Sequence, residues 1–191
     1  MNFRASFLVA ACAALISTTA NAQGWHASIL GGPTWSPHIN IGGGTRKIDD
    51  GFNAGGRVGY DLDNWLGMSG FALDTDLFYT QSSFRGLNDR YSSLSLMENL
   101  TYRVNTGFSD VSLYGGGGIG AYRAMIDGPS LNGGSTVMGW QAIGGIEFPF
   151  TREARMFGEY RYQNAHDVNI GGVNRISNTS NNVSVGVKFD L

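Results

Sequence analysis

A period of two constrains this chain more than any other feature of its sequence. In the closing stretch "NNVSVGVKFDL", Val183, Val185, Val187, Phe189 and Leu191 alternate with Ser184, Gly186, Lys188 and Asp190. Successive side chains of an extended strand point to opposite faces, so this segment has one wholly apolar face and one face of small or charged groups. Ends of soluble domains usually fray in polar residues. A chain that finishes flush on such a strand needs somewhere to put the apolar face.

The same alternation recurs along the chain. In the first segment, residues 25–35, Trp25, Ala27 and Ile29 share a side. In the second, Phe52, Ala54, Val58, Tyr60 and Leu62 alternate with Asn53, Arg57 and Asp61. In the third, Phe71, Leu73, Leu77 and Tyr79 oppose Asp74 and Asp76. In the fourth, Leu94, Leu96, Leu100, Tyr102 and Val104 oppose Ser95, Asn99, Thr101 and Arg103. The fifth sets Val111, Leu113, Ile119 and Ala121 against Ser112, Tyr114, Gly116, Gly118 and Gly120. The sixth sets Met138, Trp140, Ala142, Ile146 and Phe148 against Gln141, Gly145 and Glu147. The seventh sets Met156, Tyr160 and Tyr162 against Glu159, Arg161 and Gln163, and the closing stretch is the eighth. No segment carries a helical period, which makes the fold class all-β.

The links between these segments alternate in length. Short ones cover 63–70, 105–110 and 149–154; longer ones, rich in Gly, Asn, Ser and Asp, cover 36–51, 81–92, 123–136 and 164–180. Short turns on one rim and long loops on the other predict an eight-stranded antiparallel up-and-down transmembrane β-barrel, with the turns periplasmic and the loops outside.

Composition agrees with a sheet. The chain has 29 Gly, 4 Pro and 12% aromatic residues. A formal charge of −2 excludes the strongly basic balance of a nucleic-acid binder. "MNFRASFLVAACAALISTTANAQ" reads as a secretory signal peptide over residues 1–22: Arg4 supplies a positive start, residues 7–16 an apolar stretch, and Ala20 and Ala22 a cleavage motif ahead of Gln23. The β-barrel domain is then 23–191. The single cysteine, Cys12, resembles a lipidation site only loosely and reads as part of the signal core, which leaves the mature chain without thiols. No later stretch approaches the roughly 20 apolar residues of a transmembrane helix.

Alternation alone also fits a soluble lipocalin-like barrel, whose apolar face points inward. Three features favour the membrane. Arg57, Asp74, Asp76, Arg103, Glu147, Glu159, Arg161 and Lys188 lie on the non-apolar face, four positive against four negative. Charges enclosed in a narrow lumen must pair, and these eight are the expected salt-bridge network. Gly116, Gly118, Gly120 and Gly186 share that face and leave room for large neighbours. Trp25, Tyr60, Phe71, Tyr102, Phe148 and Phe189 fall at the turn rim, and Phe52, Tyr79, Trp140 and Tyr162 towards the loop rim, as two interfacial girdles. Two residues fit poorly. Arg123 and Glu98 fall on the lipid face by parity, and a β-bulge at Glu98 would remove the conflict there.

The segments "LYGGGGIGAY", "GWQAIGGIEF" and "GEYRYQNAHDVNIGGV" resemble the fifth to seventh strands of small Gram-negative outer-membrane barrels. These are of the OmpA/OmpX-like and opacity-protein-like type, with a flavour of alpha-proteobacterial surface antigens. The resemblance covers the whole chain after the leader. It implies location in the cell outer membrane, no enzyme activity common to the members, no cofactor, and roles that vary among adhesion, envelope integrity, immune exposure and haem binding. The implied partners are outer-membrane lipids and lipopolysaccharide, the barrel assembly machinery and host surface molecules, with no nucleic acid among them. Ser184, Gly186, Phe189 and Leu191 match the C-terminal pattern that such machinery recognises, with Leu191 in place of the more usual Phe.

Catalysis and metal binding find weak support. His166 beside Asp167, with Ser177 and Ser180 downstream, is a conceivable Ser-His-acid set, but reads as loop polar residues. The other histidines, His26 and His38, show no ligand spacing, "KIDDG" with Asp49 and Asp50 is too short for a calcium loop, and "GGGGIG" leads into no helix. No catalytic, cofactor or metal residue is assigned. The expected function is structural and interactive: four displayed loops around a plugged lumen, contributing to envelope integrity. The rivals are a narrow pore, a ligand-binding barrel and, behind them, a lipid A-modifying enzyme. If the terminal strand is an assembly signal, a polar tail appended after Leu191 impairs insertion; quantifying the tailed protein in outer-membrane fractions tests this, and normal levels count against it.

Overall fold

The computed structural model of the protein describes residues 24–35, 39–41, 44–46, 49–63, 68–83, 90–107, 110–128, 132–170 and 173–191. The leader expected at 1–22, with Ala20, Ala22 and Gln23, and also His38, lie outside the described residues. Ten strands form: β1 (Trp25–Trp35), β2 (Ile39–Ile41), β3 (Gly44–Arg46), β4 (Gly51–Asp61), β5 (Phe71–Ser83), β6 (Arg90–Asn105), β7 (Ser112–Asp127), β8 (Asn132–Pro149), β9 (Ala154–Ile170) and β10 (Val173–Asp190). Eight of them close a barrel in the order β1-β10-β9-β8-β7-β6-β5-β4, antiparallel throughout, while β2 and β3 pair as a separate small hairpin. The ring closes where β1 meets β10, from His26 opposite Asp190 to Trp35 opposite Asn181.

The apolar face points outward. Val185 is 68% exposed and Ile119 63%, while Ser184, Lys188 and Tyr122, of the opposite parity on the same strands, are buried. Outward apolar residues on every wall exclude the lipocalin arrangement, in which these side chains would line an interior cavity. Aromatic residues bridge adjacent strands at both rims. Trp25 packs edge-on against Tyr60 with ring centres 5.3 Å apart, and Phe71 lies 4.6 Å from Tyr102 at the turn end. Phe52 with Tyr79, and Trp140 with Tyr162 at 5.4 Å, do the same at the loop end. Cross-strand pairs of this kind fix register as well as depth.

The sheet departs from the sequence reading in three places. First, the strands run on at the loop end: β7 continues to Asp127 before β8 begins at Asn132, and β9 to Ile170 before β10 begins at Val173. Ladder hydrogen bonds need no apolar side chain, so Gly-, Asn- and Ser-rich stretches that read as loops pair instead as hairpins. The β8–β9 ladder ends at Gly139 opposite Ala165, so above that level the β7–β8 and β9–β10 hairpins part. Second, Leu62 does not join the apolar outer face; it sits in the turn after β4, buried, and its N–H donates to the Phe71 carbonyl at 2.8 Å. Third, no bulge occurs at Glu98. Its ladders to Thr75 of β5 and Ile119 of β7 are unbroken, so the side chain stands on the outward face.

Inside, bulky residues are accommodated opposite glycines. A Cβ at Gly145 would fall 2.5 Å from both the Tyr114 ring and the Gly158 carbonyl oxygen, and one at Gly186 would overlap the Phe157 ring and the Ile29 carbonyl oxygen. Tyr114 and Phe157, with Leu30 and Phe78, form the apolar part of the lumen. Gly145→Val is therefore expected to lower barrel stability by about 1–3 kcal/mol through overpacking. Urea titration in detergent checks this, and the loss should shrink only in part in a Tyr114→Ala background, because the Gly158 carbonyl stays 2.5 Å from the added Cβ.

Candidate functional site: the barrel lumen

The eight charged residues expected on the inner face all point into the lumen, and the structure sorts them into three groups. At the waist, Arg57 of β4, Asp76 of β5, Glu159 and Arg161 of β9 form a closed ring. Arg57 Nε lies 2.6 Å from Asp76 Oδ1 and its Nη2 2.7 Å from Glu159 Oε2. Arg161 Nη2 lies 2.8 Å from Asp76 Oδ2 and 2.7 Å from Glu159 Oε1. Each cation thus meets both anions, and the ring is neutral. Taking such ions out of water costs several kcal/mol each, and only close geometry with additional hydrogen bonds offsets that cost.

Those bonds are present. Tyr114 Oη donates to Glu159 Oε2 at 2.9 Å, and Gln141 Nε2 donates to Asp76 Oδ2 at 3.3 Å and to Asn99 Oδ1 at 2.6 Å. Gln163 Nε2 in turn donates to Gln141 Oε1 at 2.9 Å and to Ser95 Oγ at 3.1 Å. The Arg161 guanidinium lies over the Phe78 ring, 4.1 Å from its centre, where the π face receives a side of the cation that has no oxygen partner. Arg161 is 0% exposed and Glu159 2%.

Asp74 does not join a cation of the expected set. Its Oδ1 lies 2.8 Å from His26 Nε2 and its Oδ2 accepts from Thr101 Oγ1 at 2.9 Å. Nearer the turn rim, Glu147 gathers Lys188 at 2.9 Å and Arg103 at 3.1 Å, with Arg155 at 3.8 Å. Arg155 also reaches Asp190 at 3.6 Å, and Arg103 reaches Asp61 at 3.7 Å. His26, Asp61, Arg155 and Asp190 therefore join the lumen and rim charges; the sequence reading put Asp61 and Asp190 on the polar face but left all four out of the expected salt-bridge network. The signal for His26 was its parity, between outward Trp25 and Ala27.

On the closing seam, Thr34 Oγ1 donates to Asn182 Oδ1 and the Leu191 N–H donates to the Trp25 carbonyl at 2.9 Å, while Ser184 Oγ of β10 reaches past β1 to donate to Asn53 Oδ1 of β4 at 2.8 Å. Of the residues expected as an assembly signal, Ser184 and Gly186 face inward, while Phe189 and Leu191 lie on the other face. The conceivable catalytic set is not assembled among the described side chains. His166 is exposed with Nδ1 3.2 Å from the Met138 carbonyl, whereas Ser180 is buried and accepts from Asn182 at 3.1 Å. The side chains of Asp167 and Ser177 lie outside the described residues. Among the described residues no group of three or more His, Cys, Asp or Glu side chains could hold a metal ion.

If the waist ring is structural, Arg161→Ala leaves Asp76 and Glu159 sharing Arg57 alone in a dry site. The expected loss is about 3–5 kcal/mol of unfolding free energy. Arg155→Ala, in the half-exposed rim, is expected to cost under about 1 kcal/mol. Heat-modifiable gel mobility across a denaturant series measures both, and equal small losses would count against the ring.

The family model described as the outer membrane protein beta-barrel domain matches residues 7–189. Neisserial surface protein A shares the fold at a TM-score of 0.65 and 18% identity, covering 88% of this chain and 98% of its own. Ail, the attachment invasion locus protein of Yersinia pestis, does so at a TM-score of 0.50 and 16% identity, covering 87% of this chain and 98% of its own. No curated protein matches the sequence.

Proposed function

We propose, on the premise that this chain belongs to the outer membrane protein β-barrel domain family, that it serves as a closed structural barrel displaying surface hairpins. It is an integral outer-membrane protein of a Gram-negative cell, embedded in lipid through its apolar wall. In this reading the eight lumen charges stabilise the barrel and are not a transport path. The β7–β8 and β9–β10 hairpins, rising beyond the girdle residues Trp140 and Tyr162, present the surface that meets lipopolysaccharide and host molecules. Assembly machinery recognises Ser184, Gly186, Phe189 and Leu191 at the terminal strand. The barrel contributes to envelope integrity and carries out no reaction of its own.

One observation carries this reading: the waist ring. Glu159, Arg161, Gln141 and Gln163 are each at most 2% exposed, and they reach Arg57, Asp76 and Ser95 on strands across the bore. Eight strands enclose a space that side chains fill, and here the filling is a neutral, cross-linked layer that ions would have to break. In planar lipid bilayers the purified protein is expected to give no steady open level, and substituting the ring, as in Arg57→Ala with Arg161→Ala, to give brief irregular openings. Steady large conductance from the unmodified protein would make the pore the better reading.

A further inference from the structure

The ladder between β1 and β10 has a gap. From His26 opposite Asp190 to Gly31 opposite Val185 its pairs follow without a break, and the next pair is Thr34 opposite Asn182. Gly32 and Pro33 drop out of this ladder while staying paired with Asn53 and Phe52 of β4. The Trp25 carbonyl accepts from Leu191, just past β10, and the Gly24 carbonyl accepts from Asp61 of β4. Backbone groups of successive residues alternate between the two edges of a strand, so odd-numbered residues of β1 turn theirs to β10. Pro33 therefore faces β10 with no N–H to offer. The unchanged register sets Val183 opposite it, and the Val183 carbonyl loses the donor that another residue would supply.

Asn53 supplies one. Its Nδ2 donates to the Val183 carbonyl at 3.2 Å and to the Pro33 carbonyl at 2.7 Å, and its Oδ1 accepts from Ser184 Oγ at 2.8 Å. The amide starts from β4 and crosses the inner side of β1 at Gly32, its neighbour in the β4 ladder. A Cβ at Gly32 would overlap the Val183 carbonyl oxygen that the amide reaches. Asn53 and Ser184 are both buried.

We propose that Pro33 and Asn53 are two halves of one closing device. Until β10 arrives, the side of β1 that will face it is a free sheet edge, and a free edge pairs with whatever strand it meets. A proline whose missing N–H lies on that side hinders such pairing. Its placement is selective, because a proline at an even position of β1 would weaken the β4 ladder and leave the free edge whole. When β10 docks, the Asn53 amide returns the missing bond to the strand that also brings Ser184.

Refolding the chain from urea into detergent, read by heat-modifiable mobility, tests both halves. Asn53→Ala is expected to lower the folded-to-unfolded ratio about tenfold, as a buried acceptor left unpaired does, and about threefold or less where Pro33→Ala provides an N–H at residue 33. Asn53→Ser is the second probe if the alanine variant folds poorly. Pro33→Ala alone is expected to keep that ratio within about threefold of the unsubstituted chain. It should also raise the share of chains caught in dimers and larger species, more so at higher protein concentration. Equal losses from Asn53→Ala in both backgrounds overturn the proposal, since the amide would then not stand in for residue 33. So does a Pro33→Ala chain that forms no more of these species than the unsubstituted chain across the concentration series. A loss on Pro33→Ala as large as that on Asn53→Ala overturns it too, by making the proline a packing residue of the finished wall.

Discussion

In hydrocarbon no water stands ready to take up an unpaired N–H or C=O, so a sheet that crosses a bilayer must have no edge. Everything else in this barrel follows from meeting that condition with eight strands. The first strand must lie beside the last, which fixes the ring from β1 to β10. A ring that small leaves a bore only side chains can fill, so the inward face has to pack as a core while being made largely of polar groups. A neutral charge ring, a chain of amides and glycines opposite Tyr114 and Phe157 are how this sequence does so.

The wall and the bore obey opposite rules. Outward, apolar exposure is favourable and a carboxyl such as Glu98 is the anomaly. Inward, Arg161 is at ease because Asp76, Glu159 and the Phe78 ring surround it, and Met97 and Phe78 fill gaps between polar layers. A period of two lets one chain satisfy both rules, since each strand contributes alternately to each. Solved barrels at 18% and 16% identity share the fold, as expected when it depends on alternation and closure more than on particular residues.

Orientation was legible in the sequence, and pairing was not. Parity alone placed Arg57, Asp76, Glu159 and Arg161 on the inner face, where they lie. That Arg57 would meet Glu159, 102 residues away, depends on the tilt and stagger that bring β4 and β9 to one height across the bore, and no local pattern encodes this. Asp74 turned to His26 for the same reason. The lengths of β7 to β10 were underestimated because periodicity reports burial contrast, and a hairpin standing clear of the membrane has none to report. Glu98 was the instructive case: the parity was right, and the bulge invoked to excuse it does not exist.

The seam between β1 and β10 has a consequence in time. The strand pairs from β4 to β10 form between chain neighbours, but His26 finds Asp190 only after the intervening chain has been laid out around the ring. The entropy of that closure falls late, before its hydrogen bonds are in place to offset it. Opening the seam in lipid means exposing two bare edges at once. A barrel closed in this way folds slowly and, once shut, comes apart more slowly still, so its persistence in the membrane is governed by a rate as much as by an equilibrium.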